Sequence, residues 1–239
     1  MTTHSTAKTK ILVWDAPTRV FHWLLALCFV GAYITSEGDR LMGVHLTLGY
    51  TTIGLVAFRL VWGLIGTRHA RFTSFIRGPK ALARYANGMV DGRDEHHVGH
   101  NPLGAVSIVM MLLSIMAIAC TGWVYFNGGA HSVKELHEGA AAFMLTLVMV
   151  HVAGVMFASM KQRENLVRAM LTGHKKGQVH EGIRWSWWPV ALMVLAAVLG
   201  FWWLQWQSPP ANMPQENGHE SQRFDNGIAR KSWNGDHDD

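Results

Sequence analysis

The chain has 239 residues, is 49% hydrophobic and only 15% charged, and gathers its apolar residues and 11 tryptophans into blocks, a composition that points to a membrane protein. Its two cysteines, Cys28 and Cys120, lie in separate apolar blocks and no C-x-x-C-H motif occurs, which argues against a disulfide scaffold and against covalently attached haem. A net charge of +5 on so apolar a chain bears on membrane topology rather than on nucleic-acid binding.

Residues 1–18 are polar and basic, with no apolar signal core or small-residue cleavage site. No cleaved signal peptide is expected, and the first apolar block serves as the insertion signal. Five blocks are long enough to cross a hydrocarbon core of about 30 Å, at roughly 19–35, 41–65, 102–126, 139–160 and 187–206. Between the second and third, Gly78-Pro79 opens and Gly88 closes a segment with the punctuation of a short helix. With Phe72, Phe75 and Ile76 before it, this segment reads as a surface helix on the cytoplasmic leaflet, or else as a solvated loop. Trp185, Trp187 and Trp188 at one end of the last block, and Trp202, Trp203 and Trp206 at the other, read as two interfacial belts. From residue 207 the chain becomes rich in Pro, Asn, Gly and charge, the composition of a flexible outer tail or of a segment that orders against a partner. Residues 1–206 therefore form one integral membrane domain and 207–239 a tail.

Orientation follows from the basic residues. Lys8, Lys10 and Arg19 precede or open the first span, six more lie in 66–101 and six in 161–186, so these segments hold 15 of the 21 Lys and Arg. The positive-inside rule places them on the cytoplasmic side, so the N-terminus is expected inside and, with five spans, the C-terminus outside.

Of 14 histidines, His22, His45, His137 and His151 fall within or at the mouth of spans. A single such residue would serve well as an interhelical hydrogen-bond donor; four call for a joint account, because ionisable groups in a membrane are costly. The topology puts His22 and His151 near the inner end and His45 and His137 near the outer end. Within the fourth span, His137 and His151 are fourteen residues apart. At ~1.5 Å and about 100° per residue, they are separated by about 21 Å and lie within roughly 40° of one face.

Each level thus offers two imidazoles from two different helices. Structural zinc wants four ligands and catalytic zinc three. A proton relay would favour carboxylates between the levels, and the sequence places none there. Haem supplies four nitrogens itself, so two such pairs suit two stacked haems b with bis-histidine ligation. Arg59, fourteen residues after His45, and Arg19 are candidate partners of haem carboxylates, with snorkelling to the interface as the other reading of Arg59. Gly49, Gly54 and Gly154 would let a flat macrocycle approach, or would serve helix packing.

The motifs WDAPTRVFHW at 14–23, HLTLGY at 45–50, RLVWGLIG at 59–66, NPLG at 101–104 and HEGAAAFMLTLVMVH at 137–151 resemble bacterial cytochrome b-561 of the Ni–Fe hydrogenase cytochrome b subunit type, over roughly residues 11–176. The resemblance implies an all-α four-helix bundle holding two haems b, with a fifth transmembrane helix, and implies that His22, His45, His137 and His151 are the axial ligands. It further implies electron transfer between the membrane quinone pool and a redox partner outside the membrane, a c-type cytochrome or a hydrogenase-like subunit. The expected function is a di-haem conduit in contact with lipid, quinone or quinol and a periplasmic redox protein, with no nucleic-acid partner. A superoxide:quinone oxidoreductase and a haem-free scaffold or transporter are the alternatives. The direction of electron flow, the quinone site and the oligomeric state, a homo-oligomer included, stay open at this stage. His96, His97 and His100 are candidates for quinone protonation, or residues of a solvated loop.

Overall fold

A computed structural model describes residues 9–75, 78–90, 99 and 102–207. The elements in chain order are β1 (Thr9–Leu12), α1 (Ala16–Ile34), α2 (Met42–Ile65), α3 (Phe72–Phe75), α4 (Pro79–Val90), α5 (Pro102–Phe126), α6 (His131–Gln162), α7 (Leu166–Thr172), β2 (His174–Gly177) and α8 (Trp188–Gln207). Among the described residues, α1, α2, α5, α6 and α8 are long and apolar enough to cross a membrane. Their large exposed side chains, Leu27, Leu64, Met149, Val150 and Leu204 among them, suit a lipid environment and would be a liability in water. His96, His97 and His100, Ile76 and the tail beyond Gln207 lie outside the described residues.

Two helices start earlier than their apolar residues alone suggest. In α1 the Asp15 carboxylate accepts the Thr18 N–H at 2.8 Å, an N-cap, and Pro17 adds a φ suited to the first turn. In α6 the first two turns are polar and held by pairs four residues apart, His131 with Glu135 and Lys134 with Glu138. That extension carries the helix from residue 139 back to 131 and gives His137 a rigid backbone.

The core is built in two clusters. Phe21 and Cys28 of α1, Leu55 of α2 and Val198 of α8 form one, with Trp202 against it. Val56 of α2, Ile115 of α5 and Met144 of α6 form the other, joined by Leu25 and Phe29 of α1. Thus α1, α2, α5 and α6 make a bundle, and α8 packs on the α1–α2 side. Trp202 is part of that packing, its indole N–H donating to Thr51 Oγ1 at 2.9 Å, whereas Trp185, Trp188 and Trp203 are exposed as interfacial residues would be.

The basic end carries a folded cap. β1 pairs antiparallel with β2, Thr9 opposite Gly177 and Leu12 opposite His174. Gly173 ends α7 at φ +83°, and its carbonyl accepts the Val13 and Trp14 N–H groups. A Cβ there would stand 2.7 Å from the Trp14 carbonyl oxygen, so both conformation and space demand glycine. Asp15, 1% exposed, also accepts from Trp62 Nε1 at 3.2 Å and from Thr67 Oγ1, and thereby ties α1 to the end of α2.

Candidate functional site

At the end of the bundle away from this cap, His45 in the first turn of α2 and His137 in the second turn of α6 face one another. Their ring centroids are 6.2 Å apart, with the planes at 74°. Two metal–nitrogen bonds of about 2 Å on opposite sides of one ion, plus roughly 1 Å from each nitrogen to its ring centre, come to about 6 Å. A separation of this size leaves room for one ion between the two rings.

Hydrogen bonds fix which nitrogen each ring presents. His45 Nδ1 donates to the Ala32 carbonyl at 2.8 Å, and His137 Nδ1 donates to the Ile118 carbonyl at 2.9 Å. A carbonyl only accepts, so Nδ1 carries a proton in both rings, and in a neutral ring of this tautomer Nε2 keeps the lone pair. Ala32 lies in the last turn of α1, where carbonyls lack a partner within the helix. The Thr121 hydroxyl lies 3.3 Å from His137 Nδ1 and is itself directed to the Ala117 and Ile118 carbonyls. Directly beside the ring is Gly122, where a Cβ would come within 2.9 Å of His137 Cε1. Helix α5, which contributes no histidine, therefore shapes the seat of one.

Toward the capped end, His22 of α1 lies near enough to His151 of α6 for the two to repel if both were charged. His22 is held differently from the far-end pair: its Nδ1 is buried without a hydrogen-bond partner, and its ring meets Trp23 edge-on with centroids 5.1 Å apart. The structure thus brings the His45 and His137 rings together at the far end, while toward the cap His22 and His151 come within electrostatic range of one another. Among the described residues no group of three or more His, Cys, Asp or Glu side chains gathers as a site for a bare metal ion.

Arg59, 4% exposed, donates to the Ala70 carbonyl at 2.9 Å and lies 4.9 Å over the Phe72 ring. Arg19 donates to the Leu171 carbonyl at 2.7 Å and lies 5.2 Å over Trp188, on a face of α1 shared with Trp23 and Leu27. Both guanidiniums feel the Asp15 carboxylate. Gly49 is four residues after His45, hence about 40° around the helix and on its face; a Cβ there would meet no other atom. Gly54, nine residues after His45, points about 180° away.

Several residues of this arrangement escape a search for histidines. The Ala32 and Ile118 carbonyls have no side-chain signal, and Gly122 resembles any glycine in a membrane helix. Asp15 does carry one, an acidic residue directly before Ala-Pro at a helix start. His69, outside the spans, is also built in: its Nε2 donates to the Glu181 carbonyl at 2.8 Å and its ring packs edge-on to Trp14. Burial holds its pKa below the ordinary histidine value, against the opposing effect of that hydrogen bond.

Residues 13–173 match the family model of prokaryotic cytochrome b561. A protein of Rhodobacter capsulatus named as a probable Ni/Fe-hydrogenase B-type cytochrome subunit is 23% identical, over 70% of this chain and 82% of its own. Proteins of the same name from Rhizobium leguminosarum bv. viciae and Azotobacter vinelandii are 21% and 25% identical, over 70% of this chain and 90% and 88% of theirs. No solved structure matches.

Proposed function

The chain belongs to the prokaryotic cytochrome b561 family, as a multi-pass membrane cytochrome that binds haem b and transfers electrons, and from that premise we propose that it is a two-haem conduit between quinone and a periplasmic redox protein. One haem would be held by His45 and His137, the other by His22 and His151. The observation that carries this reading is the far-end pair, with its 6.2 Å spacing and both Nδ1 protons tied to backbone carbonyls. Such hydrogen bonds orient an imidazole and raise its basicity as a ligand.

Held between two such rings, haem would supply one-electron iron chemistry, which suits electron transfer rather than oxygen binding. The chain's own residues do the rest. His45 and His137 present bare Nε2 atoms, α5 packs Gly122 against the latter ring, and Gly49 leaves room beside the former for a flat group. Arg59 is the proposed partner of a haem carboxylate at the capped end. Arg19 is proposed for the same role.

By the positive-inside rule the capped, basic end is cytoplasmic and the His45–His137 end periplasmic, in a bacterial inner membrane. Quinone then exchanges electrons with the capped-end haem, and a peripheral protein meets the far one. The relatives' names, which refer to a hydrogenase, support a partner of that class. The test is a haem assay on the purified protein with quinol as reductant. The reading predicts about two non-covalent haems per chain, low-spin in both oxidation states and reducible by quinol. One haem per chain, or a high-spin ferrous spectrum, would contradict it.

A further inference from the structure

The two histidine pairs are seated differently. At the far end both rings give their Nδ1 proton to a carbonyl, His45 to Ala32 at 2.8 Å and His137 to Ile118 at 2.9 Å. The His137 proton has a second oxygen within reach, the Thr121 hydroxyl at 3.3 Å, whose own proton goes to the Ala117 carbonyl at 2.7 Å. A hydroxyl that donates elsewhere is a better acceptor for it. At the capped end, His22 Nδ1 is buried without a hydrogen-bond partner. The Trp23 ring that meets His22 edge-on, with centroids 5.1 Å apart, is no substitute for a carbonyl.

We infer that this difference sets the two haems apart in reduction potential, the far-end haem being the harder to reduce, and that Thr121 tunes it by acting through His137. The inference rests on the reading that each histidine pair holds a haem.

An imidazole whose Nδ1–H is drawn toward an oxygen is a more basic ligand at Nε2, and a more basic ligand favours ferric over ferrous iron. Two such bonds act at the far end, with Thr121 in support; His22 contributes none at the capped end. Nearby charge works in the same direction. Arg59, 4% exposed, and Arg19 lie at the capped end, and Asp15, 1% exposed, acts on both. Two guanidiniums against one carboxylate leave a net positive charge there, which favours the ferrous form, and burial of Arg59 and Asp15 limits screening by salt. At the far end the Glu138 carboxylate acts on the His137 ring, but it is exposed and paired with Lys134 at 3.7 Å. Exposed pairs of this kind are worth little, so the hydrogen bonds to the rings dominate at that level. An electron shared between the two levels therefore resides mainly at the capped end. Its transfer takes the far-end iron from ferrous to ferric and the capped-end iron from ferric to ferrous, with no bond made or broken.

The test is a spectroelectrochemical titration of the full-length haem-loaded protein in lipid nanodiscs. His22→Ala leaves the far-end haem and His45→Ala the capped-end haem, so each potential is read without a second iron beside it. Reduction of the capped-end haem is expected to be favoured at least about tenfold, roughly 59 mV for a one-electron couple. In the protein with both haems, Thr121→Val keeps the side-chain shape and removes the oxygen. It should raise the lower of the two potentials, by about threefold in the reduction equilibrium, and leave the upper one in place. Thr121→Ser, which keeps the hydroxyl, should titrate as the wild type. Should either histidine variant fail to load its remaining haem, Thr121→Val still decides, because the component that moves is the far-end haem. Equal potentials in the two histidine variants, or a higher one at the far end, overturn the inference while the two-haem conduit stands. So does a Thr121→Val titration that matches the wild type or that moves the upper component. A wild type with a single haem would overturn the preceding reading itself.

Discussion

At Gly122, one hydrogen in place of a methyl group lets the His137 ring sit against α5. Gly122→Ala would put Cβ 2.9 Å from Cε1 and 3.1 Å from Nδ1, with a rigid helix on either side. Overpacking of this kind costs about 1–3 kcal/mol, and turning the ring breaks its bond to Ile118. Purified Gly122→Ala is therefore expected to bind close to one haem rather than two, with the capped-end haem spectrum kept; full loading would refute the role. His69 makes a different prediction, about pH. Its folded-state pKa is lowered by burial, so the unfolded chain binds the proton more readily and stability rises with pH. The cap should lose stability as pH falls below the ordinary histidine value of about 6.5 and level off below the folded value. Thermal unfolding between about pH 8 and pH 5, compared with His69→Gln, checks this: the variant should show a shallower acid loss. These residues differ in how visible they are in the sequence. Histidines in apolar helices are conspicuous because the membrane penalises them, but the Ala32 and Ile118 carbonyls that select their tautomers belong to the backbone, which every residue has.

Among elements, α6 is the one on which both levels depend. Its span is plain from apolar residues, yet its first two turns are polar and continue as helix through the His131–Glu135 and Lys134–Glu138 pairs, which a search for apolar length passes over. The cap was harder to foresee. β1 and β2 are four residues each, one of them a His-Lys-Lys-Gly run, and neither alternates apolar and polar residues enough to announce a strand. What pairs them is position: α7, capped by Asn165 and ended by Gly173, returns the chain beside residues 9–14. Gly173→Ala would force a left-handed φ on alanine, at about 1–2 kcal/mol, and add a clash with the Trp14 carbonyl. A fall in thermal midpoint is expected. Asp15→Ala should act on the same joint from α1, by removing the N-cap and leaving the Trp62 N–H buried without its acceptor. The two effects are about 1 and about 1–3 kcal/mol. A midpoint within error of the wild type in both variants would show that the cap does not brace the bundle.

The whole molecule is a bundle of membrane helices in which the proposed pairing has α6 supply a histidine to each of two levels, with α2 completing the far one and α1 the capped one. The fold class was legible because hydropathy is a long-range signal, summed over many residues. The seat of each ring was not, since it depends on which helix end or which missing Cβ lies opposite, and that is decided by packing. The most direct test of the pairing is haem content with reduced-minus-oxidised spectra for the four single variants His22→Ala, His45→Ala, His137→Ala and His151→Ala. His45→Ala and His137→Ala are predicted to disturb one and the same haem signal, and His22→Ala and His151→Ala the other. Loss of the same haem signal in His22→Ala and His45→Ala would contradict the account.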